Sequence, residues 1–162
     1  MKKYLILIVV FTLLKSCSSL NYNFLKNGDL LFVTAQQENL SGAINRVTQT
    51  KKTENYDHIG IVEKTKTSIF VLHAAPKGGS QKELLTDFMK NQTENNSEVY
   101  VYRLKKDDQN AVPKALEKAN SLLGKPYNFT YVLNDETLYC SDFIERIFRE
   151  NQIFELKPMT FI

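Results

Sequence analysis

From Asn27 onward the apolar residues recur with two periods, and each period names an element. Asn27-Gly28 is a turn signal, and the apolar run after it predicts a strand over residues 29–34. Over residues 38–48, Leu40, Ile44 and Val47 fall on one helical face. Residues 58–64 and 69–74 are rich in Ile, Val and Phe, and the polar stretch 65–68 between them predicts a hairpin. After the Lys77-Gly78-Gly79 turn, Ser80 with Glu83 three residues on reads as a capping box. It would open a helix whose apolar face is Leu84, Leu85, Phe88 and Met89. Residues 98–104 alternate as a strand, and residues 110–123 are helical with Gly124 as the C-cap. Residues 140–150 form a last helix with Phe143, Ile144, Ile147 and Phe148 inward. The order strand, helix, hairpin, helix, strand, helix, helix predicts an α+β fold, with helices packed on a small antiparallel sheet.

The hairpin carries the first chemistry. Symmetric pairing about Thr65-Lys66 sets Val62 opposite Ile69, Gly60 opposite Val71 and His58 opposite His73, so the chain's only two histidines would face each other. Directly opposed Cβ atoms are about 4.5–5.5 Å apart, within reach of a ring-to-ring hydrogen bond. Ile59, Ile61, Phe70 and Leu72 fill the other face, while Val62, Ile69 and Val71 share the histidine face. Two imidazoles at the end of a buried hairpin need polar partners.

Ahead of the domain, two lysines precede an apolar run from Tyr4 to Leu14. That run is too short to span a membrane and has the charged-then-apolar order of a secretion signal. Leu14-Lys15-Ser16-Cys17 resembles the lipobox of bacterial lipoproteins, in which the cysteine is lipidated and becomes the new N-terminus, although Lys15 is unusual there. The expected organisation is a signal peptide over 1–16, a tether over 17–26 from lipidated Cys17, and one domain over 27–162. The lipid would anchor the protein to a cell-envelope membrane, the outer membrane in a Gram-negative cell.

Processing at Cys17 also changes the charge. The 21 basic and 18 acidic residues give +3, but Lys2, Lys3 and Lys15 all precede Cys17, so 18 of each sign remain. A net charge of zero offers no basic patch for nucleic acid. About 145 residues suffice for one core and are too few for two. With Cys17 committed to lipid, Cys140 has no partner in the chain. An unpaired cysteine in an exported protein is a buried hydrophobe or a reactive thiol.

A lone thiol, a base and a group to orient the base make a catalytic set. A free cysteine, with a pKa of about 8.5, is mostly protonated at neutral pH, and a helix N-terminus or a neighbouring imidazolium favours its thiolate. Cys140 opens a predicted helix, His58 could supply the imidazolium, and His73 could fix the tautomer of His58. The alternatives are a satisfied pair of core histidines, or zinc held by two His and one Cys. No Cys-x-x-Cys or His-x-x-x-His spacing supports zinc, and no cofactor is expected.

"GDLLFV" from Gly28, "DHIGIV" from Asp57, "FVLHA" from Phe70, "GKPYNF" from Gly124 and "YCSDFI" from Tyr139 together resemble the NlpC-type papain-like cysteine hydrolases. In most of that superfamily the cysteine helix precedes the Gly-Asp strand and the histidine hairpin. The reversed order here is similar to the circularly permuted YiiX/YebB-like branch, related to the lecithin retinol acyltransferase group. The resemblance spans residues 27–149. It implies Cys140 as nucleophile, His58 as general base and His73 as third polar residue. It also implies Tyr127 and Ser141 as substrate or oxyanion contacts, with the backbone N–H of Cys140 as an oxyanion donor. Tyr127 would otherwise be a core aromatic with a satisfied hydroxyl. Asn128 stands where many relatives have aspartate, and Asp142 where glutamate is common. Asp142 also reads simply as a favourable first-turn charge. The implied reaction is cleavage of an amide or ester through a thioester. NlpC enzymes point to peptidoglycan peptides as substrate and the acyltransferase group to acyl lipids, while a non-catalytic ligand-binding module remains the alternative of another class.

Overall fold

The computed structural model of the protein describes residues 21–35 and 56–156. The helix expected over residues 38–48, the signal segment, Cys17 and the first residues of the tether lie outside the described residues. Among those described, β1 (Leu30–Thr34), β2 (Tyr56–Lys64), β3 (Ile69–Ala75), β4 (Gly79–Leu84) and β5 (Val99–Tyr102) form one sheet in the order β4-β3-β2-β1-β5. All of its pairings are antiparallel. The helices are α1 (Leu85–Glu94), α2 (Val112–Ser121) and α3 (Cys140–Phe148). The α+β class read from the sequence is the observed one.

Period-two alternation divides the strands between two apolar cores. Leu30, Ile59, Ile61, Leu72 and Ala74 meet Ala115 and Ala119 of α2 and Phe143, Ile147 and Phe148 of α3. Leu31, Val33, Val62 and Val71 face the other way, onto Leu25 and onto Leu85 and Phe88 of α1. Phe88, Phe143 and Phe148 are fully buried. Removing each from water is worth about 2–3 kcal/mol, which fixes the helices that carry the site.

The hairpin pairs two residues out of the expected register. Val62 faces Val71 and Ile61 faces Leu72. The turn takes four residues, with the Thr65 N–H donating to the Ser68 carbonyl and the Thr65 hydroxyl bonding within the same loop. A slip of two keeps every side chain on its expected face. Continued downward, this register sets Gly60, not His58, opposite His73.

Ser80 and Glu83 do not form a capping box. Gly78 and Gly79 both adopt positive φ, 94° and 68°, and turn the chain back into β4. A Cβ on Gly79 would lie 2.2 Å from the Lys125 carbonyl oxygen, so only glycine lets the strand begin there. Buried Ser80 then joins β4 to the loop after α2. Its hydroxyl donates to the Leu122 carbonyl at 2.6 Å and accepts from the Lys125 N–H at 2.8 Å. Helix α1 starts five residues later with no side-chain cap, and exposed Leu84 belongs to the strand.

The chain enters β1 through an ion pair whose carboxylate is buried and whose guanidinium is exposed. Asp29, fully buried, accepts from Arg103 Nε at 2.6 Å, from Arg103 Nη2 at 2.7 Å and from the Lys26 N–H at 2.9 Å. Arg103→Ala leaves that carboxylate without its guanidinium and should cost about 3 kcal/mol. The check is a urea midpoint that falls at constant slope. A loss below about 1 kcal/mol would mean that the remaining N–H and water satisfy Asp29.

Candidate active site

His58 Nε2 lies 2.8 Å from His73 Nδ1, with the rings edge to face at 5.0 Å between centroids. The contact is diagonal across β2 and β3, and glycine at position 60 makes it possible. A Cβ there would come within 2.6 Å of Val71 Cγ1 and 3.3 Å of the His73 Cβ. The diagonal continues onto β4, where Gln81 faces His73 and Glu83 lies two residues on, on the same face. Glu83 Oε2 is 3.3 Å from His73 Nε2, an approach too poorly aligned to satisfy that nitrogen as a hydrogen bond. Glu83 Oε1 accepts from Asn91 Nδ2 of α1 at 2.8 Å. Its carboxyl is raised above the ordinary value by burial and by neighbouring Asp87. Glu83 is thus a third member of the polar line, hidden in the sequence by the capping-box pattern.

Cys140 reaches the site from the opposite core. It is the first residue of α3, and it packs at the edge of the cluster holding Ile59 and Phe143. The β2–β3 register runs from the hairpin turn to Ile61 and Leu72. Below it, the same edge of β2 receives the thiol. Sγ lies 3.8 Å from the Asp57 carbonyl oxygen, and the Ile59 and Ser141 N–H groups also point at the sulfur. The thiol therefore contacts the backbone on both sides of His58.

Burial decides the charges. It pushes the Cys140 thiol up to about 11 against the opposing pull of the Ser141, Ile59 and Cys140 N–H groups. His58 keeps part of its surface open, but the protein packed round its ring lowers it to about 4. Burial, and then the charge of His58, lowers His73 to about 3. Desolvation thus favours the uncharged thiol and uncharged imidazoles, against the pull that the helix-start N–H groups exert on the sulfur.

Tyr127 is half-buried, and burial first, then the proximity of Cys140 and Tyr131, holds its hydroxyl protonated. Ser141 contributes its backbone N–H to the sulfur. Asn128 is buried as a loop organiser: Oδ1 accepts from the Thr130 and Tyr131 N–H groups, each at 3.0 Å, and Nδ2 donates to the Val132 carbonyl at 2.7 Å. An aspartate could not make that donation. Asp142 is fully buried and pairs with Arg146 at 2.8 Å. It is more than a first-turn surface charge. Among the described residues no group of three His, Cys, Asp or Glu side chains could hold a metal ion.

A thiol at a helix start, held against the backbone on either side of a histidine that pairs with a second one, on an antiparallel sheet that precedes that helix, has the form of a papain-like cysteine hydrolase in permuted order. The chain belongs to the permuted papain-like amidase family, YaeF/YiiX, C92, whose model matches residues 24–161. The crystal structure of metalloprotein yiiX from Escherichia coli O157:H7 is similar, with a TM-score of 0.61 and 22% identity. The match covers 78% of this chain and 66% of that one, and it shows the shared fold. No curated protein sequence matches significantly.

Proposed function

We propose that the protein is a cell-envelope thiol hydrolase cleaving an amide or ester, with Cys140 as nucleophile, His58 as general base and His73 as orienter. The observation that carries this reading is the 2.8 Å contact between the two imidazoles, beside the backbone that receives the thiol. An ionised Glu83 favours the proton of His73 on Nε2, which leaves Nδ1 as acceptor. His58 must then donate from Nε2, and its bare Nδ1 is the nitrogen left for the thiol.

As Sγ bonds the carbonyl carbon, its proton passes to His58, and the charge formed there is shared along His73 towards Glu83. The Cys140 N–H, with Ser141 and Tyr127 beside it, stabilises the oxyanion. His58 returns the proton to the leaving amine or alcohol, and water then cleaves the thioester. Because thiol and base rest uncharged, proton transfer accompanies attack.

The pH dependence tests this. His58, lowered to about 4, accepts a proton above that pH and is blocked below it. The thiol, raised to about 11, keeps its proton until attack. The profile of kcat/KM should therefore be flat from about pH 5 to pH 9 and fall near pH 4. An acid limb at the ordinary histidine value would place a solvated base at the site and contradict the reading. Stability follows the same sign. Unfolding exposes imidazoles that bind protons the buried ones refuse, so stability is full above the ordinary value and declines as pH falls towards 4.

Attachment to the envelope rests on Cys17. Cys17→Ala should release the protein from the membrane fraction or leave it unprocessed, read by fractionation and intact mass. Unchanged fractionation and mass would remove the lipid anchor.

A further inference from the structure

Tyr131 is held at φ 57°, a left-handed conformation that is costly for a tyrosine and persists only where its surroundings impose it. Buried Asn128 imposes it. Its Oδ1 accepts from the Thr130 and Tyr131 N–H groups and from the Thr130 hydroxyl, while its Nδ2 donates to the Val132 carbonyl. The turn is therefore built round one amide side chain, and it carries the Tyr131 ring to within 5.4 Å of the Tyr139 ring. Tyr131 is still 53% exposed, so burying its ring gains too little to explain the strain.

What the turn does serve is the pair of tyrosines that flank the thiol. Before the turn, the Asn128 N–H donates to the Leu138 carbonyl and the Leu138 N–H to the Pro126 carbonyl, each at 3.0 Å, so Tyr127 runs parallel to Leu138, two residues before Cys140. After the turn, Arg146 of α3 bonds the Asn134 carbonyl and the Asp135 carboxylate while its Nε donates to fully buried Asp142. Both ends of the loop are thus fastened to the start of α3, and Tyr131 lies between them. Its ring meets Tyr139, the residue before Cys140. On the other flank, burial, the nearby thiol and the Tyr131 side chain together keep the Tyr127 hydroxyl protonated, which makes it a donor. The Phe129 ring, edge to face with Tyr127 at 5.0 Å, restrains the swing of that donor.

We propose that Tyr131 is a positioning residue that directs the hydroxyl proton of Tyr127 onto the oxygen of the tetrahedral intermediate. The proposal rests on the hydrolase reading above, in which Tyr127 stands beside the oxyanion. A hydroxyl has one proton, and at rest Tyr127 can give it to the Tyr131 oxygen. As negative charge develops on the substrate oxygen, Tyr127 turns its proton to that oxygen and accepts the Tyr131 proton in its place. The two O–H groups then point the same way, and each strengthens the next. No covalent bond is made or broken at either tyrosine.

Aldehyde binding tests this without turnover. When the thiol adds to an aldehyde, the S–C bond forms and the thiol proton ends on the former carbonyl oxygen, which then sits on a tetrahedral carbon where the oxyanion would be. The full chain carrying Cys17→Ala has Cys140 as its only thiol, and isotopically labelled acetaldehyde reports the adduct by NMR. Tyr131→Phe keeps the ring beside Tyr139 and removes only the hydroxyl. It should weaken acetaldehyde binding about three- to tenfold, the worth of one hydrogen bond. The rate of alkylation by iodoacetamide should not change, because alkylation forms no tetrahedral oxygen. With Tyr127→Phe already in place, Tyr131→Phe should weaken binding no further. Unchanged binding in Tyr131→Phe, or an equal loss with and without the Tyr127 hydroxyl, overturns the proposal. So does a matching fall in alkylation, which would report a displaced thiol, and so does the absence of any adduct in the parent. Hydrolysis of p-nitrophenyl acetate, compared with Cys140→Ser, tests the hydrolase reading separately. Coupled tyrosines without turnover keep Tyr131 acting through Tyr127 and sink the hydrolase; turnover without coupling does the reverse.

Discussion

Cys140→Ser should fold as the parent does and lose at least about 10³-fold in turnover, the largest effect expected of any single substitution. The fold survives because the hydroxyl can still donate towards the Asp57 carbonyl, which the thiol approaches at 3.8 Å. Phe143, Ile144, Ile147 and Phe148, which seat α3, are untouched. The melting temperature should therefore move by no more than about 4 °C, roughly 1 kcal/mol. Activity falls for a different reason. Burial already pushes the thiol up to about 11, so the site has little capacity to ionise a weaker acid. Serine's hydroxyl is far harder to deprotonate, and neutral His58 is a weak base for the task. The measurement is initial rate beside circular dichroism, with Cys140→Ala as a second inactive variant. A serine variant that is folded and retains activity near the parent's removes the thiol from the chemistry.

Much of this arrangement is legible in the sequence because parity is robust. Misplacing the centre of the hairpin turn by one residue slips the pairing by two and sets the wrong pairs opposite one another, yet keeps His58 and His73 on one face. A slip of one would have separated them. Helix α3 is equally legible: its four inward apolar residues are all buried, and Cys140 stands at its start. Glu83 was hidden because Ser-x-x-Glu fits a helix cap as well as a strand, and two positive-φ glycines settle the matter in favour of β4. The loop after Tyr127 gave no signal either, since an apolar run does not reveal whether it will be covered. The direction of the thiol's shift depends on how much protein surrounds the sulfur, and periodicity carries no information about that.

The second large effect separates the histidines. In the proposed mechanism His58→Ala removes the group that takes the thiol proton, and should lower kcat/KM by about 10²- to 10⁴-fold. The plateau should disappear with it, leaving a residual rate that climbs with pH towards the raised thiol value of about 11. His73 acts through His58. In the proposed tautomer its Nδ1 accepts from Nε2 of that ring, 2.8 Å away, and an amide oxygen can accept the same hydrogen bond. His73→Asn should therefore keep measurable activity with the parent's plateau, while His73→Ala frees His58 to take the wrong tautomer and loses considerably more. Rescue by asparagine distinguishes orientation from packing, because both variants lose the contact with Phe88, whose ring lies 5.4 Å from His73. Glu83→Gln should have the smallest effect. Its carboxylate is one ring further away, and a glutamine oxygen can still face His73 Nε2. Equal activity of His73→Ala and the parent, with His58→Ala inactive, would assign the orientation of the base to another group and leave the imidazole pair a matter of packing.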